Sequence, residues 1–157
     1  MNDATHPSLL LDQQLCFALY AASRSMTAAY RPLLDELGLT YPQYLTMLVL
    51  WEQDGLTVRE LGQRLQLDSG TLTPLLKRLQ QAALISRERR RSDEREVEIC
   101  LTPEGRALRE PAKAVPACMA SRLCLSHEDM QRLRDELKQL AAQLSPPQAW
   151  LPPRTQT

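Results

Sequence analysis

The segment LTVRELGQRLQLDSGTLTPLLKRL, residues 56–79, constrains the fold of this chain more than any other stretch. Thr57 and Glu60 have the spacing of a capping box, which predicts the start of a short helix. Asp68 or Ser69 can cap a second helix after a tight turn, so the segment predicts a helix-turn-helix. The apolar positions predicted to face inward are Val58, Leu61 and Leu65, then Leu72, Leu75, Leu76 and Leu79.

The outer face of the second helix is polar and basic, as expected of a recognition helix in the major groove of DNA. Pro74 lies inside this helix and removes a backbone donor, which predicts a bend. The side chains outside the apolar stripe, and therefore the predicted DNA contacts, are Ser69, Thr71, Thr73, Lys77 and Arg78.

A basic β-hairpin is predicted directly after the recognition helix. The run LISRERRRSDEREVEICL, residues 84–101, alternates at both ends, with Val97, Ile99 and Leu101 on one face and Glu96, Glu98 and Cys100 on the other. Residues 77–95 hold seven basic and three acidic side chains, although the formal net charge of the chain is zero. A wing of this kind would place its tip in the minor groove, where arginine is favoured, with Asp93 orienting an arginine. The tip residues are Arg89, Arg90, Arg91, Asp93 and Arg95; the alternative is a merely solvated hairpin.

Apolar residues at spacings of three and four predict four further helices. The last two of these helices have more apolar surface than a monomer of 157 residues needs, and together with the first helix they predict an intertwined homodimer. The helices are expected from Leu11 to a break near Pro32, from Pro42 to Gly55, from Thr102 through Leu123 despite Pro111 and Pro116, and from Ser126 through Leu144.

These patterns divide the chain into four parts. An N-terminal dimerisation region that contains Cys16 spans 1–40, and the winged helix-turn-helix domain spans 41–101. The C-terminal dimerisation helices span 102–144, and a proline-rich, flexible tail spans 145–157.

Several classes of protein do not fit the sequence. No apolar run approaches about 18 residues, and the N-terminus lacks a basic start followed by an apolar stretch, so we expect a cytoplasmic protein without membrane contact. The four cysteines form no C-x-x-C pair and there are only two histidines, so neither a metal site nor a cofactor is predicted. In a reducing compartment any disulfide should be reversible.

The order of elements resembles the MarR family of dimeric winged-helix transcription regulators. The motifs LCFALYAASRSM, LTYPQYLTMLVLWE, LDSGTLTPLLKRL and SDER are more closely similar to the organic hydroperoxide regulators, the OhrR type, over about residues 11–144. The resemblance implies a repressor that leaves double-stranded operator DNA when an organic hydroperoxide oxidises Cys16. It also implies that Tyr30 and Tyr41 hydrogen-bond the Cys16 thiolate. Cys118 and Cys124, both expected to lie in the penultimate helix, are the candidates for a resolving cysteine, which would condense with a sulfenic acid at Cys16 into an intersubunit disulfide.

Geometry restricts how such a site can form. Cys16 and Tyr30 are fourteen residues apart, which is about 21 Å along one unbroken helix. A tyrosine that serves Cys16 must therefore come from the partner subunit, so the predicted sensing site lies at the dimer interface. There, oxidation can rotate the two DNA-binding lobes relative to each other. We expect Cys16 to lie in mid-helix and to gain nothing from a helix N-terminus.

Other interpretations of the same residues remain open. Cys16, Cys118 and Cys124 can be packing residues, since free cysteines are commonly buried. Four aromatic residues can line a pocket around Cys16 for the peroxide tail or belong to the core: Tyr20, Tyr44, Trp51 and Phe17. For Trp51 and Phe17 the core is favoured.

Two other functions also remain open. One is a MarR-type repressor released by a phenolic or other small ligand, with Cys16 incidental. The other is a thiol peroxidase, in which the basic wing would serve no purpose, so we expect that the chain is not an enzyme.

Overall fold

A computed structural model describes the backbone of residues 7–90 and 93–144, and the side chains of residues 8–89 and 96–144. The predicted tail at 145–157 lies outside the described residues. Two short 3₁₀ turns, Pro7–Leu9 and Leu11–Gln13, precede the helices. The remaining elements are α1 (Leu15–Asp35), α2 (Tyr41–Glu52), β1 (Leu56–Thr57), α3 (Val58–Leu65), α4 (Ser69–Gln81), β2 (Ile85–Arg90), β3 (Asp93–Leu101), α5 (Pro103–Ala107), α6 (Arg109–Ala112), α7 (Ala114–Leu123) and α8 (His127–Leu144).

The helix-turn-helix is formed by α3 and α4, as predicted. The Thr57 N–H donates to Glu60 Oε2 at 2.7 Å and the Glu60 N–H donates to Thr57 Oγ1 at 3.2 Å, which completes the capping box. Asp68, rather than Ser69, caps α4 by accepting a hydrogen bond of 2.8 Å from the Thr71 N–H. The α4 helix continues through Pro74, and the predicted bend stays a prediction. Leu72, Leu76 and Leu79 are fully buried, which confirms the inner face.

The wing is part of a three-stranded antiparallel sheet in the order β1-β3-β2. The two-residue strand β1 was not predicted, and it pairs Leu56 with Ile99. Ile99 and Leu101 are buried, whereas Val97 on the same face of β3 is 37% exposed. Val97 lies beyond the residues of β3 that pair with β1, so at this position the hairpin extends away from the body.

Two predicted boundaries of the first helix are wrong. The helix begins at Leu15 rather than Leu11, because Gln14 has extended dihedral angles, with φ −87° and ψ 114°, that separate it from the 3₁₀ turn. It passes through Pro32 and ends at Asp35. Proline has a helical φ and removes only one backbone hydrogen bond, and burial of Leu34 holds the last turn against the core.

The predicted long helix after the wing is divided into α5, α6 and α7. Leu108 and Lys113 separate the segments, yet both keep right-handed helical dihedral angles. The hydrogen-bonding pattern is interrupted because Pro111 and Pro116 have no amide hydrogen to donate to the preceding turn. The path of the chain therefore stays helical while its hydrogen bonding does not.

The helix α7 packs against α1, whereas α8 has no buried side chain. Val115 and Met119 of α7 are buried, and the Arg122 guanidinium donates to the Ala29 carbonyl of α1 at 3.0 Å. None of the α8 side chains, all of which the structure describes, is buried. Leu133 and Leu137 therefore form an uncovered apolar stripe in a single chain. Within the described residues, no helix is both long and apolar enough to cross a membrane.

Candidate DNA interface and redox site

The predicted DNA-contacting side chains of α4 all lie on its exposed face. Hydrogen bonds from the Thr71 backbone and then the Thr71 hydroxyl lower the pKa of Asp68, so the cap stays charged at neutral pH. Thr73 Oγ1 donates back to the Ser69 carbonyl at 2.7 Å. The structure thus brings together, on one surface, Ser69, Thr71, Thr73, Lys77 and Arg78.

The wing carries the second predicted set of DNA contacts. Strands β2 and β3 pair from Ile85 with Leu101 out to Arg90 with Asp93, with an irregularity between Arg89 and Arg90. Arg89 is exposed on this arm. Arg91 lies outside the described residues, and the side chains of Arg90, Asp93 and Arg95 are also outside them.

The base of the wing is held by contacts that sequence reasoning missed. Asp54 accepts from the Leu101 N–H at 2.8 Å and from the Arg106 guanidinium at 2.5 Å. Trp51 Nε1 donates to the Gly105 carbonyl at 2.8 Å. The only sequence signal here is the Asp54–Gly55 turn, which does not reveal that its carboxylate bonds to a strand almost fifty residues away. We call these contacts the wing-base clamp.

Tyr30, Tyr41 and Tyr44 form an aromatic cluster between α1 and α2. The ring centroids of Tyr30 and Tyr41 are 4.7 Å apart, and those of Tyr30 and Tyr44 are 5.9 Å apart. Burial raises the pKa of all three phenols, so each stays protonated at neutral pH and can donate a hydrogen bond. Tyr44 belongs to the core, while Tyr30 and Tyr41 line an open cleft of about 1100 Å³.

Cys16 lies on the surface of the chain, away from this cluster. The helix α1 is unbroken between Cys16 and Tyr30, so the fourteen-residue separation of about 21 Å holds within one chain. Cys16 is exposed, which contradicts the packing interpretation for a single chain. The expected mid-helix position is also wrong, because α1 begins at Leu15 and Cys16 lies in its first turn.

The aromatic residues beside Cys16 are exposed as well. The prediction of Phe17 as a core residue is wrong for the single chain, where its side chain is 37% exposed, because none of the helices and strands described here covers this part of α1. Tyr20 is exposed and accepts a hydrogen bond of 2.7 Å from Arg24 one turn later. Trp51 is half-buried and serves the wing-base clamp.

The other cysteines differ in exposure. All four lie in the described part of the chain and none is in a disulfide. Cys118 is exposed on α7, and Cys124 is exposed just after it, with a left-handed φ of 52° that ends the helix, so the prediction that Cys124 lies in the helix is wrong. Cys100 is half-buried. Its burial, and to a lesser extent the nearby charges of Glu88 and Asp54, raise the pKa of its thiol.

The described residues contain no group of three or more histidine, cysteine or carboxylate side chains able to hold a metal ion.

Comparison with known proteins gives consistent relatives. Residues 28–110 match the family described as "Transcriptional regulator SarA/Rot". The chain is 52% identical, over 127 residues, to the organic hydroperoxide resistance transcriptional regulator of Bacillus subtilis, covering 81% of this chain and 86% of that protein. Reduced AbfR bound to DNA superposes with a TM-score of 0.70 at 40% identity, covering 86% of this chain and 94% of that chain. The disulfide-formed structure of AbfR, a protein of Staphylococcus epidermidis, superposes with a TM-score of 0.60 at 41% identity, covering 83% of this chain and 92% of that chain.

Proposed function

Because this chain belongs to the MarR family of winged-helix transcriptional regulators, among the relatives of the organic hydroperoxide regulators, we propose that it is a peroxide-sensing repressor. In this proposal a homodimer binds operator DNA through α4 and the wing. It leaves the DNA when an organic hydroperoxide oxidises Cys16.

The pairing of Tyr30 with Tyr41 at an open cleft is the observation that carries the proposal. Two protonated phenols face a space that the Cys16 of the same chain cannot reach. The exposed leucines of the N-terminal segment and the uncovered stripe of α8 support a second copy as their cover. The partner's Cys16 would then lie at this cleft, between the two chains.

The chemistry of sensing requires a thiolate and two hydrogen-bond donors. Cys16 lies in the first turn of α1, where the helix N-terminus favours negative charge. The thiolate attacks the terminal peroxide oxygen, so an S–O bond forms and the O–O bond breaks. The leaving alkoxide takes a proton and departs as an alcohol, and the sulfur, now oxidised, carries a sulfenic acid. Tyr30 and Tyr41 would donate to the thiolate and, after reaction, to its oxygen.

The helix α2 offers a direct connection between this site and the DNA-binding surface. Tyr41 is its first residue, and Trp51, near its last turn, donates to Gly105 in the wing-base clamp. A displacement of Tyr41 on oxidation would therefore move the wing together with the rest of the DNA-binding domain. In this proposal the dimer has two arrangements, one that binds the operator and one that does not.

Operator binding before and after oxidation tests the proposal. Cumene hydroperoxide should release the reduced wild-type protein from its operator in an electrophoretic mobility assay, and a thiol reductant should restore binding. Unchanged binding after complete oxidation of Cys16, verified by mass spectrometry, would contradict the proposed function.

Linkage between subunits distinguishes the two-cysteine mechanism from simple sulfenic acid formation. We expect wild-type protein treated with cumene hydroperoxide to form a linked dimer on a non-reducing gel, since a sulfenic acid condenses with a thiol to a disulfide and water. Replacing both Cys118 and Cys124 with serine should abolish this band, and each single variant identifies which thiol resolves. A linked dimer that persists in the double variant would exclude both residues.

The recognition helix yields a prediction about salt dependence. Lys77→Gln should weaken binding to every DNA sequence and lower the slope of log affinity against log salt by about one, because one phosphate contact is lost. Fluorescence anisotropy at several salt concentrations measures this slope. Lys113→Gln is the control, since Lys113 is exposed after the wing and is paired with Glu110. Equal slopes for the two variants would show that Lys77 does not contact a DNA phosphate.

The cleft also favours a second candidate function, a regulator released by a small ligand without oxidation. Its volume of about 1100 Å³ is sufficient for a phenolic compound. Peroxide-induced release that survives Cys16→Ser would favour this alternative. A thiol peroxidase would instead require continuous peroxide consumption with a reductant, and the relatives of the chain are transcriptional regulators.

A further inference from the structure

The first turns of the recognition helix α4 expose polar side chains of one chemical kind. Gly70 and Pro74 carry no polar group, and the Leu72 side chain is fully buried in the core. The other exposed side chains of these turns end in hydroxyl groups, including those of Thr71 and Thr73. The N-terminal residues of a recognition helix contact base edges. Hydrogen bonding of this part of α4 to bases therefore depends on what its hydroxyl groups can donate and accept.

The proton of the Thr71 hydroxyl is held within the protein. Thr71 Oγ1 donates to Asp68 Oδ2 at 3.0 Å, while the Thr71 N–H donates to Asp68 Oδ1 at 2.8 Å. These hydrogen bonds, the backbone one first, lower the pKa of Asp68, so its carboxylate is ionised at neutral pH and has no proton of its own to donate. A hydrogen bond to an ionised acceptor is about twice as strong as a neutral one. The hydroxyl proton therefore stays with Asp68, and only the lone pairs of Oγ1 remain for a base.

The proton of the Thr73 hydroxyl is held by the backbone. Thr73 Oγ1 donates to the Ser69 carbonyl at 2.7 Å, one turn earlier in α4. A carbonyl oxygen has no proton to donate, so Thr73 also keeps only lone pairs for a partner outside the helix. In the major groove, the groups that donate to lone pairs are the amines of adenine and cytosine. Guanine and thymine present acceptors at the equivalent positions, and these gain nothing from a hydroxyl whose proton is held elsewhere.

We propose that Thr71 and Thr73 act in the major groove as hydrogen-bond acceptors only, and so select adenine or cytosine at the bases that they contact. Asp68 is then a positioning residue, since it orients the Thr71 hydroxyl. The inference rests on the proposed function, in which α4 lies in the major groove of the operator. Lys77 and Arg78, later in the same helix, remain donors for phosphates and for acceptor groups of bases.

Base analogues test the proposal. A random double-stranded DNA library is enriched on reduced full-length protein, and the enriched sequence is the probe for fluorescence anisotropy at one salt concentration. Replacing an adenine with purine, or a cytosine with the analogue that lacks its amine, removes one donor. At the contacted bases this change should weaken wild-type binding about five-fold, the size of one hydrogen bond.

Substitution of the threonines identifies the base that each one contacts. Thr71→Val and Thr73→Val should each abolish the five-fold loss at one base, because valine keeps the shape of threonine without its hydroxyl. Thr71→Ser and Thr73→Ser should retain the loss, since serine keeps the hydroxyl. The serine variants also lack the methyl group through which threonine can contact thymine, so they separate the two modes of recognition.

Asp68→Asn should release one hydroxyl proton and leave the other in place. Asparagine caps a helix about as well as aspartate, but its amide nitrogen donates to Thr71 Oγ1, so the hydroxyl proton becomes available to a base. At the base that Thr71 contacts, wild type should prefer an amine to a carbonyl about ten-fold, measured as adenine against hypoxanthine or cytosine against uracil. This preference should fall to about two-fold in Asp68→Asn. The preference at the base of Thr73 is the internal control and should not change, because the Ser69 carbonyl still holds that proton.

The loss of a negative charge in Asp68→Asn should strengthen binding to every sequence, so its effect cancels in the ratio of two affinities. A cost of amine removal that is the same in wild type and in either valine variant would overturn the proposal. Dependence of the Thr71 contact on the thymine methyl or on guanine, shown with uracil and deazaguanine, would overturn it as well. The same holds if Asp68→Asn keeps the full preference. Thermal unfolding identifies any valine variant that does not fold, and the alanine variant then takes its place.

The same DNA separates this inference from the proposed function. If the reduced protein enriches no sequence, both are contradicted. If it enriches a sequence that cumene hydroperoxide does not release, the peroxide-sensing repressor fails, while the base preferences still decide the inference. If peroxide releases the DNA but the preferences do not depend on Thr71, Thr73 and Asp68 as stated, the inference is wrong and the repressor stands.

Discussion

Replacing Cys16 with serine should leave operator binding intact and reduce sensitivity to cumene hydroperoxide by more than a hundred-fold. Serine is close to cysteine in size, and Cys16 is exposed, so no packing is lost in the single chain. The hydroxyl cannot be oxidised by the peroxide, so neither a sulfenic acid nor a disulfide can form at this position. The measurement is the peroxide concentration that releases half of the bound operator, beside a non-reducing gel.

Cys100→Ser is the matched control for this experiment. Cys100 is half-buried, and burial with the nearby carboxylates raises the pKa of its thiol, so less of the reactive thiolate is present at neutral pH. This variant should respond to cumene hydroperoxide as wild type does. A Cys16→Ser protein that still leaves the operator at the wild-type peroxide concentration would remove Cys16 from the mechanism.

Gly105→Ala should destabilise the protein by about 3 kcal/mol or more, because two backbone segments must separate to admit one methyl group. A Cβ at Gly105 would lie 2.0 Å from the Leu84 carbonyl oxygen, at the point where the wing begins. The carbonyl of Gly105 also accepts the hydrogen bond from Trp51, and Thr102 bonds to the Ala83 carbonyl nearby. Displacement of α5 would thus weaken the wing-base clamp and lower operator affinity along with stability.

Glu104→Ala gives the reference for this loss. Glu104 is the preceding residue of α5 and its side chain is exposed, so its replacement should change stability by no more than about 0.5 kcal/mol. Urea unfolding of both variants, at one protein concentration because dimers gain stability with concentration, compares them directly. Equal midpoints for the two proteins would show that the close approach at Leu84 does not constrain the fold.

Local patterns predicted most elements because each depended on neighbours in sequence. A helix repeats every 3.6 residues, so residues three or four apart lie on the same side of it. This spacing predicted the capping box of Thr57 and Glu60 and the burial of Leu72 and Leu76. The same reasoning failed at Gln14, where one extended residue moved the start of α1 and brought Cys16 into a first turn. Alternation identifies a face of a strand but does not show how far the body beneath it extends, and on the face shared with Ile99 the side chain of Val97 is 37% exposed.

The sequence by itself determined the helix-turn-helix and the wing, since helical and strand periodicity follow from backbone geometry. The candidate redox residues came from the similarity of its motifs to those of the organic hydroperoxide regulators. Only the tertiary structure decided which distant groups meet. It brought the ring centroids of Tyr30 and Tyr41 within 4.7 Å of each other and bonded the Asp54 carboxylate to the Leu101 N–H. Such contacts join residues on separate elements, and their distances depend on how whole helices pack against each other, which no local spacing encodes.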